Sequence, residues 1–233
     1  MKHIISLVPV ALAFLVLSCE GVWPDCTDGN GVIVTENRDL SSFTGVESNG
    51  DFEVNIYPGE EYGVKVETDE NLMDLIITRV SGGNLIIETR RGNCIRPSGT
   101  VLVTVSLPEL ERVDLNGSGM IWCDTLTAPS FEADLDGSGT IECTSMAVPE
   151  LDIEIDGSGK MEMNGIFEAI DAVIDGSGEI IMTGESAGSD LHINGSGTIS
   201  ASELLSDSCY AGITGSGIIH TRVEDLLEVN ISG

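Results

Sequence analysis

Six times between residues 115 and 217 the chain writes an aliphatic residue, a small polar residue and then Gly-Ser-Gly. The copies are Leu115-Asn-Gly-Ser-Gly119, Leu135-Asp-Gly-Ser-Gly139, Ile155-Asp-Gly-Ser-Gly159, Ile174-Asp-Gly-Ser-Gly178, Ile193-Asn-Gly-Ser-Gly197 and Ile213-Thr-Gly-Ser-Gly217. Their leading glycines are spaced by 20, 20, 19, 19 and 20 residues. Self-similarity at this period is the mark of a solenoid, in which each repeat buries its apolar side only against its neighbours. The Leu/Asn lattice of leucine-rich repeats is absent. A further copy starts at Ile231 and reaches Gly233, so the sequence given is expected to stop inside a coil.

The flanks of each copy decide what kind of coil this is. Val113 and Leu115, Ala133 and Leu135, and Ile153 and Ile155 are apolar at every second position, with Asp114, Asp134 and Glu154 between them. Period-two alternation is a strand with one face buried and one wet. Beyond the glycines the alternation resumes. Ile121, Ile141, Met161, Ile180, Ile199 and Ile219 form one inward column, and Cys123, Cys143, Met163, Met182, Ala201 and Thr221 the next. Trp122, Glu142, Glu162, Ile181, Ser200 and His220 should point outward. The fold class expected is all-β: a right-handed parallel β-helix of about 20-residue coils over 113–233, with Gly-Ser-Gly at a corner where a positive φ would strain any other residue.

Residues 36–112 lack the repeat but read as β structure, either continuous with the solenoid or capping it. Strands are expected over 51–57, 62–67, 84–88 and 100–106, with a helical turn within 70–75. The first 35 residues are different again. Lys2 and His3 precede an apolar run, 4–16, that is short for a bilayer span. The run ends at Val16-Leu17-Ser18-Cys19, which resembles the lipobox of bacterial lipoproteins. That resemblance implies a signal peptide over 1–18, lipid on Cys19, and a flexible acidic tether over 19–35. A membrane held through this lipid is the first partner expected, with localisation in the cell envelope, at the outer membrane on its surface or periplasmic side.

The formal net charge is −29, and residues 1–18 carry Lys2 and no acid. Such a chain repels nucleic acid and anionic lipid, so neither is expected as a partner.

A wider resemblance rests on a string of motifs. These are Phe43 and Val46 ahead of Gly50-Asp-Phe-Glu-Val-Asn-Ile; Gly63-Val-Lys-Val-Glu-Thr-Asp-Glu-Asn-Leu-Met; Gly83-Asn-Leu-Ile-Ile; Val101-Leu-Val-Thr-Val-Ser-Leu-Pro-Glu-Leu; and then the serial Gly-Ser-Gly. From about residue 38 onward the chain resembles the family described as putative auto-transporter adhesin, head GIN domain. The resemblance implies an exported β-helical protein, often a lipoprotein, of Gram-negative envelopes. It carries no catalytic residues.

The chemistry-bearing residues each admit two readings. Asp136, Asp156 and Asp175 stack in successive coils, and carboxylates about 5 Å apart repel unless compensated. Calcium, with its hard oxygen ligands, is the one cofactor such a ladder would take. The competing reading is that each Asp caps the N–H groups of its own turn, as Asn and Thr do elsewhere in the column. The corner serines have no histidine in register: His192 and His220 lie in different columns. No Cys/His spacing suits zinc. Cys26 and Cys94 are a candidate disulfide that ties the tether to the body, while Cys123 and Cys143, one coil apart, are either a disulfide or buried thiols. From residue 113 on, Lys160 and Arg222 stand against 22 acids, a balance that disfavours a β-helix enzyme acting on acidic polysaccharides. The expectation is a non-catalytic, adhesin-like binding module for an extracellular glycan or protein. The alternatives are a self-associating structural envelope protein and a glycan-active enzyme.

Overall fold

The structure, a computed structural model, describes residues 26–233. The signal segment 1–18 and Cys19 lie outside the described residues. The first strands are β1 (Thr27–Asp28), β2 (Ile33–Arg38), β3 (Gly45–Asn49), β4 (Glu53–Pro58), β5 (Gly63–Asp69), β6 (Ile76–Ser81), β7 (Asn84–Thr89), β8 (Ile95–Arg96) and β9 (Leu102–Leu107). The repeat supplies β10 (Arg112–Gly117), β11 (Met120–Thr127), β12 (Ser130–Gly137), β13 (Thr140–Ala147), β14 (Glu150–Gly157), β15 (Lys160–Gly176), β16 (Glu179–Gly195), β17 (Thr198–Gly215) and β18 (Ile218–Ser232).

From β10 onward each strand pairs in parallel with its equivalent one coil away, so the expected β-solenoid holds. Every coil has two sides, here called A (before Gly-Ser-Gly) and B (after it). The inward columns are buried: Leu115, Leu135, Ile155, Ile174 and Ile193 on side A, and Ile121, Ile141, Met161, Ile180 and Ile199 on side B. Thr221 and Ile219, at the end of the side B columns, are only half-buried.

The corner explains both glycines. The leading one has φ +129 at Gly137, and a Cβ there would run into the carbonyl of Gly117 one coil below. At Gly139 a Cβ would sit 2.6 Å from the Gly119 carbonyl oxygen and 2.7 Å from the Leu115 side chain. The corner N–H groups are satisfied by the coil below: Ser158 donates to Gly137 O and Ser177 to Gly157 O, both at 2.8 Å. The Asp of each corner therefore does not do the capping that the sequence pattern suggested.

The second corner accounts for the change of period. In the first coils Ala128-Pro129 and Val148-Pro149 interrupt the strands, since proline has no N–H for the ladder. In the next two coils there is no proline and one residue fewer, and β15 and β16 run unbroken through the bend. The lost residue appears as a register shift between Cys143 and Met146, and it is restored on β17 by a shift opposite Ile181–Thr183.

The N-terminal region enters the same ladder out of chain order. β3 and β4 form a rung directly beneath β10 and β11. The rung beneath that is made by the later strands β7 and β9. Antiparallel strands then close this end: β6 on β7, β5 on β9, and β2 on β5. Residues 70–75 are a turn followed by a single 3-10 turn, Met73–Leu75, shorter than a helix. A disulfide joins Cys26 to Cys94 beside the β1–β8 pair. Asp69 is buried and accepts from Gly31 N–H and Ser98 Oγ–H, both at 2.7 Å, and from Ser98 N–H at 2.8 Å. The Ser98 hydroxyl and the backbone donors hold its carboxyl below its ordinary value, so one carboxylate stitches three segments of the closed end.

Candidate functional site

The outward residues of side A fall into three lanes parallel to the solenoid axis. The first begins at Arg112 and continues through Glu132, Asp152, Asp171 and Asp190 to Tyr210 and Glu228. The second holds Asp114, Asp134, Glu154, Val173 and His192. The third holds Asn116, Asp136, Asp156, Asp175 and Asn194. Strand alternation puts all three lanes on the surface, and the parallel, in-register pairing stacks like on like.

Against the first lane runs a groove of about 800 Å³, lined by Arg112, Asp152 and Asp171 among others, with Phe131, Leu151 and Ile170 turned into the core beside it and at most 3% exposed. A second hollow of about 330 Å³ shares Ala169, Ile170 and Asp190 with it and carries the groove on to Tyr210 and Glu228. The first-lane path from Asn84 on β7 to Glu228 on β18 takes eight inter-strand steps of about 4.8 Å, roughly 38 Å in all.

Arg112 is the cation at the head of this surface. Its Nε donates to both oxygens of Asp114 at 2.9 Å, and its Nη atoms reach Glu132 and Asp134 of the next coil. The charge-assisted hydrogen bond to Asp114 is what most strongly holds the guanidinium in its charged form. Burial pushes the Asp134 carboxyl up to about 6, against the opposing pull of Arg112 and with help from Asp114 and Glu132. One coil on, Asp152 is raised as well, by partial burial first and then by Asp171 and Glu132. Among the described residues, no cation forms an ion pair with Asp152 or Asp171. His192 Nε2 lies 2.8 Å from Asp190 Oδ1, and its ring stands 5.4 Å from that of Tyr210.

The residues singled out from the sequence fall as follows. Asp136, Asp156 and Asp175 do stack in register, in the third lane and away from the groove. Among the described residues no group of three or more His, Cys, Asp or Glu is gathered closely enough for a metal ion. The corner serines are exposed, and His192 stands beside Asp190 and not beside any of them. Cys123 and Cys143 are buried free thiols in register, and the hydrogen bond between them, then burial, pushes the Cys143 thiol well up. Arg112 was missed, because it stands one residue before the repeat begins. The signal was there: a lone cation at the head of a column whose next members are Glu132, Asp152 and Asp171. On side B the comparable feature is smaller, with Lys160 Nζ 2.6 Å from Glu162 and 3.8 Å from Glu179.

The profile of the family described as putative auto-transporter adhesin, head GIN domain, matches residues 42–188 and 167–233, which is most of the chain. The chain belongs to that family. Solved members of the same fold include a putative lipid binding protein from Parabacteroides distasonis, 21% identical over 90% of this chain and 100% of that one, with a TM-score of 0.78. A putative adhesin from Bacteroides fragilis is 16% identical over 88% of this chain and 96% of its own, with a TM-score of 0.80. One from Parabacteroides merdae is 19% identical over 90% and 100%, with a TM-score of 0.77. At these identities the likeness shows the fold. No curated protein matches the chain. An adhesin-like family is one of cell-envelope or surface proteins, and among the described residues no helix is long and apolar enough to cross a membrane.

Proposed function

We propose that this member of the head GIN family is a non-catalytic, lipid-anchored envelope protein that uses side A of its solenoid as a binding surface. The observation that carries the reading is the axial groove: a concave strip along several coils, lined by Arg112 and a run of carboxylates, and concave surfaces of this kind are where ligands bind. Its acidity selects against nucleic acid and polyanionic sugars. Attachment to the outer membrane through Cys19 supplies the display, since an acylated N-terminus anchors a soluble body.

The test is protease treatment of intact cells, comparing wild type with Cys19→Ala. Removal of the wild-type protein from whole cells, together with release of the variant into the medium, is the expected result. Protection of the wild type until the outer membrane is opened would overturn surface display.

Self-association is a second reading, favoured by the apolar residues that β18 exposes. Ile218, Leu227, Val229 and Ile231 of β18 are each about half exposed or more, at 52%, 49%, 54% and 66%. Apolar side chains exposed along a strand are a pairing surface. Sedimentation of the purified protein across a range of concentrations separates the two readings. A single monomeric species leaves the binding module standing alone, and a dimer that Val229→Asp dissolves makes β18 an interface.

A further inference from the structure

We propose that the closed N-terminal end of the solenoid docks, through Arg90, Arg91 and Arg96, on the anionic headgroups of the membrane that holds the Cys19 lipid. This rests on the reading of Cys19 as the lipid-bearing residue and adds which face of the body meets the bilayer.

Charge is spread unevenly along the chain. The formal net charge is −29, and from residue 113 on Lys160 and Arg222 are the only cations. Residues 75–108 reverse the balance, with Arg79, Arg90, Arg91 and Arg96 against a single acid, Glu88. Glu88 is taken up by Arg79 at 3.1 Å. Arg96 reaches Asp28 at 3.6 Å, but both side chains are more than two-thirds in solvent, where such a pair contributes little. Arg90 and Arg91 are exposed, and among the described residues they form no ion pair; Asp74, next to Leu75 in sequence, pairs with neither. Their turn is fixed by its backbone. Arg90 N–H donates to Leu75 O at 2.7 Å, and Asn93 closes the turn by donating to Arg90 O from its N–H at 3.0 Å and from Nδ2 at 3.1 Å. The acidity that repels anionic lipid elsewhere is therefore reversed at this loop.

The same loop is where the chain that leads back to Cys19 meets the body. Cys94, between Arg91 and Arg96, is bonded to Cys26. Thr27 N–H donates to Cys94 O and Gly29 N–H to Arg96 O, both at 2.8 Å. Cys26 is thus pinned beside the arginines, and it stands seven residues after Cys19. At about 3.4 Å per residue those seven reach no further than about 24 Å. A lipid on Cys19 therefore keeps the arginines close to the headgroups, where an anionic surface attracts each of them and the attraction decays over about 8 Å. The loop joins β7 to β9, the rung that antiparallel β5 and β6 cover. The repeat coils stack on the other face of that rung, through β3 and β4, and their carboxylates are repelled by the same surface. Attraction at one end and repulsion along the rest stand the solenoid on its closed end and hold side A clear of the bilayer.

The test is arginine footprinting. The acylated protein is inserted from outside into preformed vesicles of phosphatidylethanolamine, with or without one-third phosphatidylglycerol, and its arginines are modified with phenylglyoxal and read by mass spectrometry. Anionic vesicles should slow modification of Arg90 and Arg91 at least tenfold relative to neutral ones and leave Arg222, exposed on β18, within twofold. The protection should vanish in 1 M salt, where the screening length falls to about 3 Å. In the Arg90→Gln/Arg91→Gln variant, Arg96 should react equally in both kinds of vesicle. Equal rates at Arg90 and Arg91 in the two vesicles would overturn the docking. So would equal protection of Arg222, which would lay the whole molecule on the bilayer, or protection of Arg96 that survives in the double variant. The same spectra show whether the Cys19 peptide carries lipid. If it carries none, the anchor reading fails by itself, and the patch is then judged by sedimenting that unacylated protein with the vesicles: retention by anionic but not neutral vesicles upholds it, and retention by neither overturns it.

Discussion

The first and the last described coils are built from the same stacking and differ in what covers them. At the N-terminal end antiparallel β5 and β6 cover the last parallel rung, a disulfide and the buried Asp69 pin the outer segments, and Val64, Val66 and Ile76 are at most 3% exposed. In the last described coil β18 pairs, among the described residues, with β17 alone, and Val229 and Ile231 are exposed though they continue core columns. The identical residue type in the identical column is thus core in one coil and surface in the last. What a position is worth depends on whether a coil lies on both sides of it.

Breaking the corner in the middle of the stack is the harshest way to test this. Gly137→Val adds strain at φ +129 and drives a side chain into the Gly117 carbonyl, at a cost of about 4 kcal/mol or more. Gly82→Ala at the closed end has φ +61 and nothing within 4 Å, so about 1 kcal/mol is expected. Urea unfolding of both variants checks the contrast, and similar losses would mean that the corners are not specially constrained. Next comes the column itself. Ile153→Ala, buried between two coils, should cost about 2–5 kcal/mol, and Ile231→Ala in the last described coil no more than about 0.5.

The closed end offers a third test. Replacing Cys26 and Cys94 with serine releases a loop spanning 68 residues and should cost about 2–4 kcal/mol. Hydrogen exchange should place the loosening in β1, β8 and the Asp69 contacts while the middle coils stay protected. The smallest effect is electrostatic. Asp134 in the fold has a pKa near 6, above its unfolded value near 4, so its contribution to stability is complete below pH 4 and is lost as pH rises through 6. Solvent screening at a side chain one-third exposed brings this to about 1 kcal/mol. Melting curves of wild type should fall between pH 4 and 7 by a margin that Asp134→Asn removes.

The repeat was legible because solenoid physics writes itself at fixed intervals: a glycine wherever the coil below comes too close, an aliphatic wherever the core recurs. Asp136, Asp156 and Asp175 were found by the same periodicity, yet the stack alone did not say where the concave surface lies. That depends on which side chains project beside the lane, Arg112 among them. The rung order of β7, β3 and β10 was not readable either. Alternation marks a strand without naming its partner, and nothing in 36–112 repeats. Arg112 escaped notice for a related reason, since its meaning lies in Glu132 and Asp134, twenty residues downstream.

The displaced rung has a consequence for how the chain is made. Residues 45–58 lie between strands that are synthesised later on both sides, so this layer cannot settle until at least residue 107 is available. From residue 112 on, each coil lands on one already in place, and order of emergence and order of assembly coincide. Shortening from the C-terminus therefore removes whole layers and leaves a smaller protein of the same kind, while any break ahead of residue 107 removes the foundation on which every later layer is laid.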